Sequence, residues 1–269
     1  GYTIDVGKYY KESNVEIPAT YNGKPVTKIS AGMFENDTNI TTITLSSNIT
    51  YIGNNAFKNC PNLKQIIFKS ASTYSTASAD AHSGSYAITT LAVAISKKDP
   101  NNNIAFIGES AFYNCVELES IDVSRATTIG KNAFYGCSKL ESVSLNDNLT
   151  KLADSTFNGC LKLNDLQLPS ALTEIGANCF VNCQALENIA IPATTTMVGA
   201  NILNGCTGLK KIVLEDRSGD LSGFDKDWKS GISDTVELKV GFRISLDYNG
   251  ATSGNEAATS IVSVEENYK

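Results

Sequence analysis

The chain has 269 residues, 22 of them basic and 28 acidic, for a formal net charge of -6, with 42% hydrophobic and 19% charged residues. That balance belongs to a folded globular protein; without a basic run it excludes a nucleic-acid partner, which needs clustered Lys and Arg to neutralise phosphates. The most apolar segment, Ala87 to Ile95, falls well short of the ~18–20 apolar residues that span a bilayer, so no membrane insertion is expected.

Residues 1–14 read as an N-terminal cap, and the start at Gly1 rather than Met reads as a form from which a leader has been removed. From there a period dominates. Phe34, Phe57, Phe112, Phe134, Phe157, Phe180 and then Leu203 are spaced 23, 55, 22, 23, 23 and 23 residues apart, and the long interval is one period plus a 32-residue insertion. Within each unit an apolar pair alternating with polar residues (Ile121/Val123, Val143/Leu145, Leu166/Leu168, Ile189/Ile191) predicts a short half-buried strand. Pro18, Pro169 and Pro192 close three such strands, where a residue without an N–H suits the end of a ladder. An Ile-Gly pair then predicts a tight turn, and Ala-Phe a few residues later predicts one helical or 3₁₀ turn carrying the Phe inward. No unit can bury its strand and its Phe alone. Stacked units can, each roofing the next around a Phe spine formed by the seven spaced residues above.

The insertion, residues 69–103, starts as low-complexity sequence and continues from Tyr86 to Ile95 as a candidate added strand on one edge; a binding loop and a tolerated surface loop are equal readings of it. Beyond residue 215 the period stops. Val236 to Leu246 alternate in polarity and a second apolar stretch at Ile261 to Val264 follows a turn-rich segment, which predicts a β-hairpin. Residues 216–269 are therefore a C-terminal β cap over the open end of the core, or the start of a second small domain. Trp228 is expected to seal that cap.

The motif I-x-I-P-x-x-x-T-x-I-G-x-x-A-F-x-x-C-x-x-L recurs in phase over seven units between about residues 14 and 215, and 21–27, Tyr-Asn-Gly-Lys-Pro-Val-Thr, has the look of a first repeat. It resembles the BspA-like leucine-rich repeats. The implied fold is an α/β solenoid, a leucine-rich-repeat right-handed superhelix of ~23-residue units over residues 1–215, with a β-hairpin cap. The resemblance also implies a bacterial or protist cell-surface or secreted protein, associated with adhesion to host or matrix proteins.

Six of the seven cysteines, Cys60, Cys115, Cys137, Cys160, Cys183 and Cys206, share one column, which Asp37 fills in the first unit. A column of small interior residues bonding the turn backbone is the favoured reading. Disulfides between neighbouring coils satisfy the distance rule but not the dihedral, and Cys179 with Cys183 lacks the further ligands of a metal or redox site. His82 is the one histidine and lies in the insertion, so no acid–base or nucleophilic constellation is evident. With no phosphate-binding or dinucleotide motif, neither an enzyme nor a cofactor is expected. Asp216, Asp220, Asp225 and Asp227 depart from Ca²⁺-loop spacing and read as a solvated turn. Four N-glycosylation sequons, at Asn36, Asn39, Asn48 and Asn148, read as coincidence in an Asn/Thr-rich chain.

The expected contact surface is the strand face, where polar residues between the apolar pairs form outward rows: Thr42, Thr44, Gln65, Lys69, Ser120, Asp122, Ser142, Ser144, Asp165, Gln167, Asn188 and Lys211. These rows lack the aromatic and Arg clustering of a strong hot spot. A monomeric module that binds a protein in adhesion, a carbohydrate-binding surface protein, and a plain spacer carrying another domain are the three readings, all placed outside the cell.

Overall fold

The computed structural model describes residues 12–69, 100–215 and 221–240, with the backbone alone for strand Tyr2–Ile4, the end of Glu237–Ser245, and Thr259–Ser263. His82, the Tyr86 to Ile95 segment, Asp216 and Asp220 lie outside the described residues. The chain winds as a β-solenoid of about eight coils with ~23-residue repeats. We number the coils by the residue in the Phe column: coil 1 carries Phe34, coil 2 Phe57, coil 3 Phe112, coil 4 Phe134, coil 5 Phe157, coil 6 Phe180 and coil 7 Leu203, and coil 8 runs from residue 221.

Each coil has three sides. The short ladder contains the Ile-Gly positions: Lys24–Ile29, Tyr51–Ile52, Phe106–Ile107 and Thr128–Ile129 pair in parallel, and Lys151–Leu152, Glu174–Ile175 and Met197–Val198 form a second parallel group. Tyr2–Ile4 adds to the first group by pairing with Lys24–Ile29. The long ladder holds Asn14–Glu16, Thr42–Ser46 and Gln65–Lys69, then Ser120–Val123 with Ser142–Leu145, then Asn188–Ile191 with Lys211–Glu215 and Glu237–Ser245. Between the ladders lies the Phe turn.

The expected helical or 3₁₀ turn around the Phe is not observed; among the described residues there is no helix. The cause is local. Two residues before and two after each Phe the backbone is left-handed, as at Asn55 (φ 56°) and Asn59 (φ 56°), Ser110 (φ 54°) and Asn114 (φ 57°), or Asn132 (φ 56°) and Gly136 (φ 71°). A right-handed helix cannot pass through such residues. The hydrogen bonds follow suit. In coil 2 the amides of Ala56, Lys58 and Cys60 donate three residues back within the turn, while those of Asn55, Phe57 and Asn59 donate to the carbonyls of Glu109, Ala111 and Tyr113 in coil 3. Half the N–H groups that a helix would use internally are thus committed to the neighbouring coil.

The core is one continuous column. Phe57, Phe112, Phe134, Phe157 and Phe180 are fully buried. From Phe34 to Phe180 successive ring centroids stand 5.2, 5.2, 5.5, 5.5 and 5.9 Å apart with planes within 14° of parallel. Burial of each ring stabilises by about 1.5–3 kcal/mol, and each offset stack adds about 0.5–1.5 kcal/mol. Leu203 continues the column, and in coil 8 Phe224 meets Trp228 edge-on at 5.4 Å, both buried. The terminal hairpin exists, with Glu237–Ser245 antiparallel to Thr259–Ser263. It extends the long ladder in register, so that Leu238 stands beside the core residue Ile212 yet remains 47% exposed.

Candidate functional site: the strand face and its flanks

Parallel pairing sets the outward side chains of the long ladder one coil apart in straight rows, with Asn14, Thr42 and Gln65 aligned in one group, Ser120 and Ser142 in the next, and Asn188, Lys211 and Glu237 in the last. Asp165 joins the second group through a single bridge to Ser142. Gln65, Asp165, Gln167 and Asn188 are exposed, and Thr42, Lys69, Ser120, Asp122, Ser142, Ser144 and Lys211 are half-buried. Thr44 departs from expectation: it points outward by alternation but is only 7% exposed, so it offers no contact surface. Lys69 reaches across two coils to Glu16 at 3.0 Å. The row is also less polar than its sequence suggested, because Ile67 occupies the position beside Thr44 and is 38% exposed.

Two aromatic pairs stand on the outside of the other flanks. Tyr51 and Phe106, each immediately before the Ile of an Ile-Gly, stack at 4.5 Å and 2°, with Lys28 Nζ 5.3 Å from the Tyr51 centroid. Tyr113 and Tyr135, each immediately after a spine Phe, stack at 4.7 Å and 5°, with Lys58 Nζ 5.9 Å from Tyr113. Sequence reading missed both because it followed inward columns only; matching outward columns would have aligned them. The rings in each pair cover one another's faces, so they do not form a flat platform on which a sugar ring could lie.

The cysteine column is placed inside. Each thiol donates to the carbonyl of the spine Phe of the preceding coil: Cys60 to Phe34 at 2.9 Å, Cys115 to Phe57 at 3.0 Å, Cys137 to Phe112 at 3.1 Å, Cys160 to Phe134 at 3.2 Å, Cys183 to Phe157 at 3.3 Å and Cys206 to Phe180 at 3.0 Å. The first coil has no such Phe before it, and its Asp37 instead accepts the amides of Asn39 (2.7 Å) and Ile40 (3.1 Å) in its own turn. Burial pushes the Cys60 and Cys137 thiols up to about 12 and Cys206 up to about 11, and raises the others as well. All seven are free, buried thiols. A thiol held protonated is a poor nucleophile and metal ligand. Cys179 belongs to a different column, that of Ala56, Ala111, Ala133 and Thr156, which accounts for its spacing from Cys183.

Among the described residues no group of three His, Cys, Asp or Glu is placed to hold a metal ion. Asp225 accepts the Asp227 amide at 2.8 Å. The Asn36 and Asn48 side chains are engaged between coils, Asn36 accepting from Asn59 at 2.8 Å and Asn48 donating to the Ala19 carbonyl at 3.0 Å. No helix among the described residues is long and apolar enough to cross a membrane.

This geometry has relatives. The chain is similar to a leucine rich cell surface protein of Faecalibacterium prausnitzii A2-165, with 29% identity and a TM-score of 0.61, over 76% of this chain and 48% of that one. It thus spans about half that protein's length. It is also similar to a leucine rich repeat protein of T. pallidum (17% identity, TM-score 0.44, 85% and 74% of the two chains) and to the pneumococcal vaccine antigen PcpA (16%, 0.40, 89% and 77%). No curated protein matches the chain. The model of the BspA type leucine rich repeat region matches in six copies over residues 8–104 and 105–222, and with the repeat, the Phe column and the cysteine ladder all in phase, the chain belongs to that family.

Proposed function

We propose that the chain is a binding or adhesion module at the cell surface or outside the cell, that it works as a monomer, and that its long-ladder face recognises a protein partner. The observation that carries this reading is the alignment of outward polar side chains in rows on a backbone fixed by parallel pairing. Within each paired group such a surface is ordered before contact, so little ordering entropy is lost there on association. The exposed positions Gln65, Asp165, Gln167 and Asn188 supply donors and acceptors, and Ile67 supplies apolar area. The similarity to a leucine rich cell surface protein supports the location.

The test is a solid-phase screen of the purified chain against matrix proteins and, in parallel, a glycan array. A protein hit that weakens about tenfold or more when Gln65, Ile67, Asp165 and Asn188 are replaced together by Ala supports the reading. A hit that survives those changes moves the site off this face; a response confined to glycans favours carbohydrate recognition, and silence in both favours the spacer.

A further inference from the structure

Close approach of the coils along the short ladder depends on one glycine column. A Cβ built on Gly53, Gly108, Gly130, Gly176 or Gly199 would lie 2.5 Å from a backbone nitrogen of the preceding coil, that of Ala31, Asn54, Glu109, Asp154 or Ala177. None of these five glycines has a left-handed φ, so space and not conformational freedom is what requires glycine. In coil 5 the column is occupied by Ala153. Its methyl group needs about 3.5 Å to a heavy atom, so the approach made at the glycine positions is closed to it at the junction of coils 4 and 5.

The hydrogen bonds register that difference. At the other junctions the glycine amide donates to the preceding coil at 2.8–3.0 Å, as from Gly130 to Ile107 and from Gly176 to Leu152, and the amide at the Thr position does so as well, as from Thr127 to Ala105 and from Thr173 to Thr150. Lengthening such bonds by about 1 Å removes them. Among the described residues the corresponding bonds from Ala153 to Ile129 and from Thr150 to Thr127 are absent, and the short ladder divides into one sheet ending at Thr128–Ile129 and another beginning at Lys151–Leu152. On the long ladder pairing lapses at the other side of this coil, between coils 5 and 6, as it also does between Gln65–Lys69 and Ser120–Val123: Asp165 bridges back to Ser142, while Asn188–Ile191 pairs with Lys211–Glu215. Across the Ala153 junction the Phe134–Phe157 spacing, 5.5 Å, equals that of Phe112–Phe134, so the change is confined to the ladder edge and does not reach the Phe column. The Phe turn alone is continuous through coil 5, with Phe134 donating to Thr156 and Phe157 to Cys179, both at 2.9 Å.

We infer that coil 5 is a built-in flexure. Ala153 wedges the short ladder open, the stack behaves as two blocks, coils 1–4 and coils 6–8, and the Phe turn is the strap on which they bend. The strand face changes curvature at its middle, whatever it binds.

Amide hydrogen exchange on the full chain, resolved by residue, tests this. The Thr150 and Ala153 amides exchange about tenfold or more faster than their counterparts at Thr127, Gly130, Thr173 and Gly176. Ala153→Gly closes the ladder and slows Thr150 and residue 153 to the rate of those neighbours. Gly176→Ala moves the wedge one coil on and speeds exchange at residues 173 and 176. Equal exchange at all these positions in the wild type, or unchanged exchange in Ala153→Gly, overturns the inference; should Gly176→Ala fail to fold, the wild type and Ala153→Gly decide alone.

Discussion

Replacing Gly136 and Gly159 separately by Ala separates two costs that coincide at most turn glycines. The two occupy the same column and have left-handed backbones, with φ of +71° and +78°. Each substitution incurs the steric cost of an L side chain in that region, about 1–2 kcal/mol. At Gly159 the new methyl group would meet nothing nearer than Gly136 Cα at 3.4 Å, an ordinary contact. At Gly136 it would run into Asn114 Oδ1. Asn114 donates through Nδ2 to Asn59 Oδ1 at 3.3 Å, and Asn59 in turn donates to Asn36 at 2.8 Å. Displacing Asn114 breaks the end of that amide chain, a further loss of about 1 kcal/mol. Urea unfolding should therefore show Gly159→Ala down by about 1–2 kcal/mol and Gly136→Ala by about 2–3 kcal/mol. Adding Asn114→Gly, which keeps the left-handed backbone accessible, should make the second Gly136→Ala loss shrink to the first. Equal losses at the two glycines, or no coupling between residues 114 and 136, would refute the reasoning.

Three further outcomes are expected. Phe134→Ala should cost about 3–5 kcal/mol because its buried ring is sandwiched at 5.5 Å on both sides, whereas Phe134→Leu, the residue the column itself uses at Leu203, should cost less than half as much; similar losses from the two in chemical denaturation would show that the rings do not pack as a column. Stability should fall with alkali: the Cys60 and Cys137 thiols titrate near 12 when folded against an ordinary 9.0, so their contribution is intact below pH 9 and is lost between pH 9 and 12, at about 1.4 kcal/mol per pH unit for each thiol. Melting temperatures across pH 8–11 for the wild type and a Cys60→Ala, Cys137→Ala double variant should converge as pH rises, and parallel curves would count against it. A thiol-specific reagent at pH 8 should label none of the seven buried cysteines until denaturant unfolds the chain; early labelling of the Phe-bonded six would show that the coils open there.

The repeat length, the inward columns and the hairpin were all readable because each is a matter of period, and period survives without coordinates. The form of the Phe turn was not read correctly, although its signal was present: Asn or Gly stands two residues before and after the Phe in coil 2, and the spacing of Ala-Phe alone suggested a helical turn. Ser110 and Ser155 are left-handed too, at φ 54° for both, and nothing in serine itself prefers that region; their column decides it. Alternation likewise tells which side of a strand a residue faces but not what lies over it, which is why Thr44 was placed on the surface and is buried. In Gln65–Lys69 the run Ile66-Ile67-Phe68 hides the alternation, and Ile67 was passed over as a surface residue. Ala153 looks like a conservative change from glycine in the text of the repeat; only the 2.5 Å approach at its sister positions shows how much it displaces.

The Phe-turn bonds between coils all run one way, each coil offering N–H groups to the carbonyls of the coil that follows, down to Asn201 and Ile202, whose amides are met by the carbonyls of Asp227 and Trp228. A stack assembled on that rule has a direction, like a row of hooks and eyes, and its two ends ask for opposite chemistry. Whatever closes the leading end has to bring acceptors, which the irregular segment carrying Trp228 does without repeating the motif. A whole coil can be spliced into or out of the middle with every hook still finding an eye, so reach can be altered in steps of one unit while both termini stay as they are.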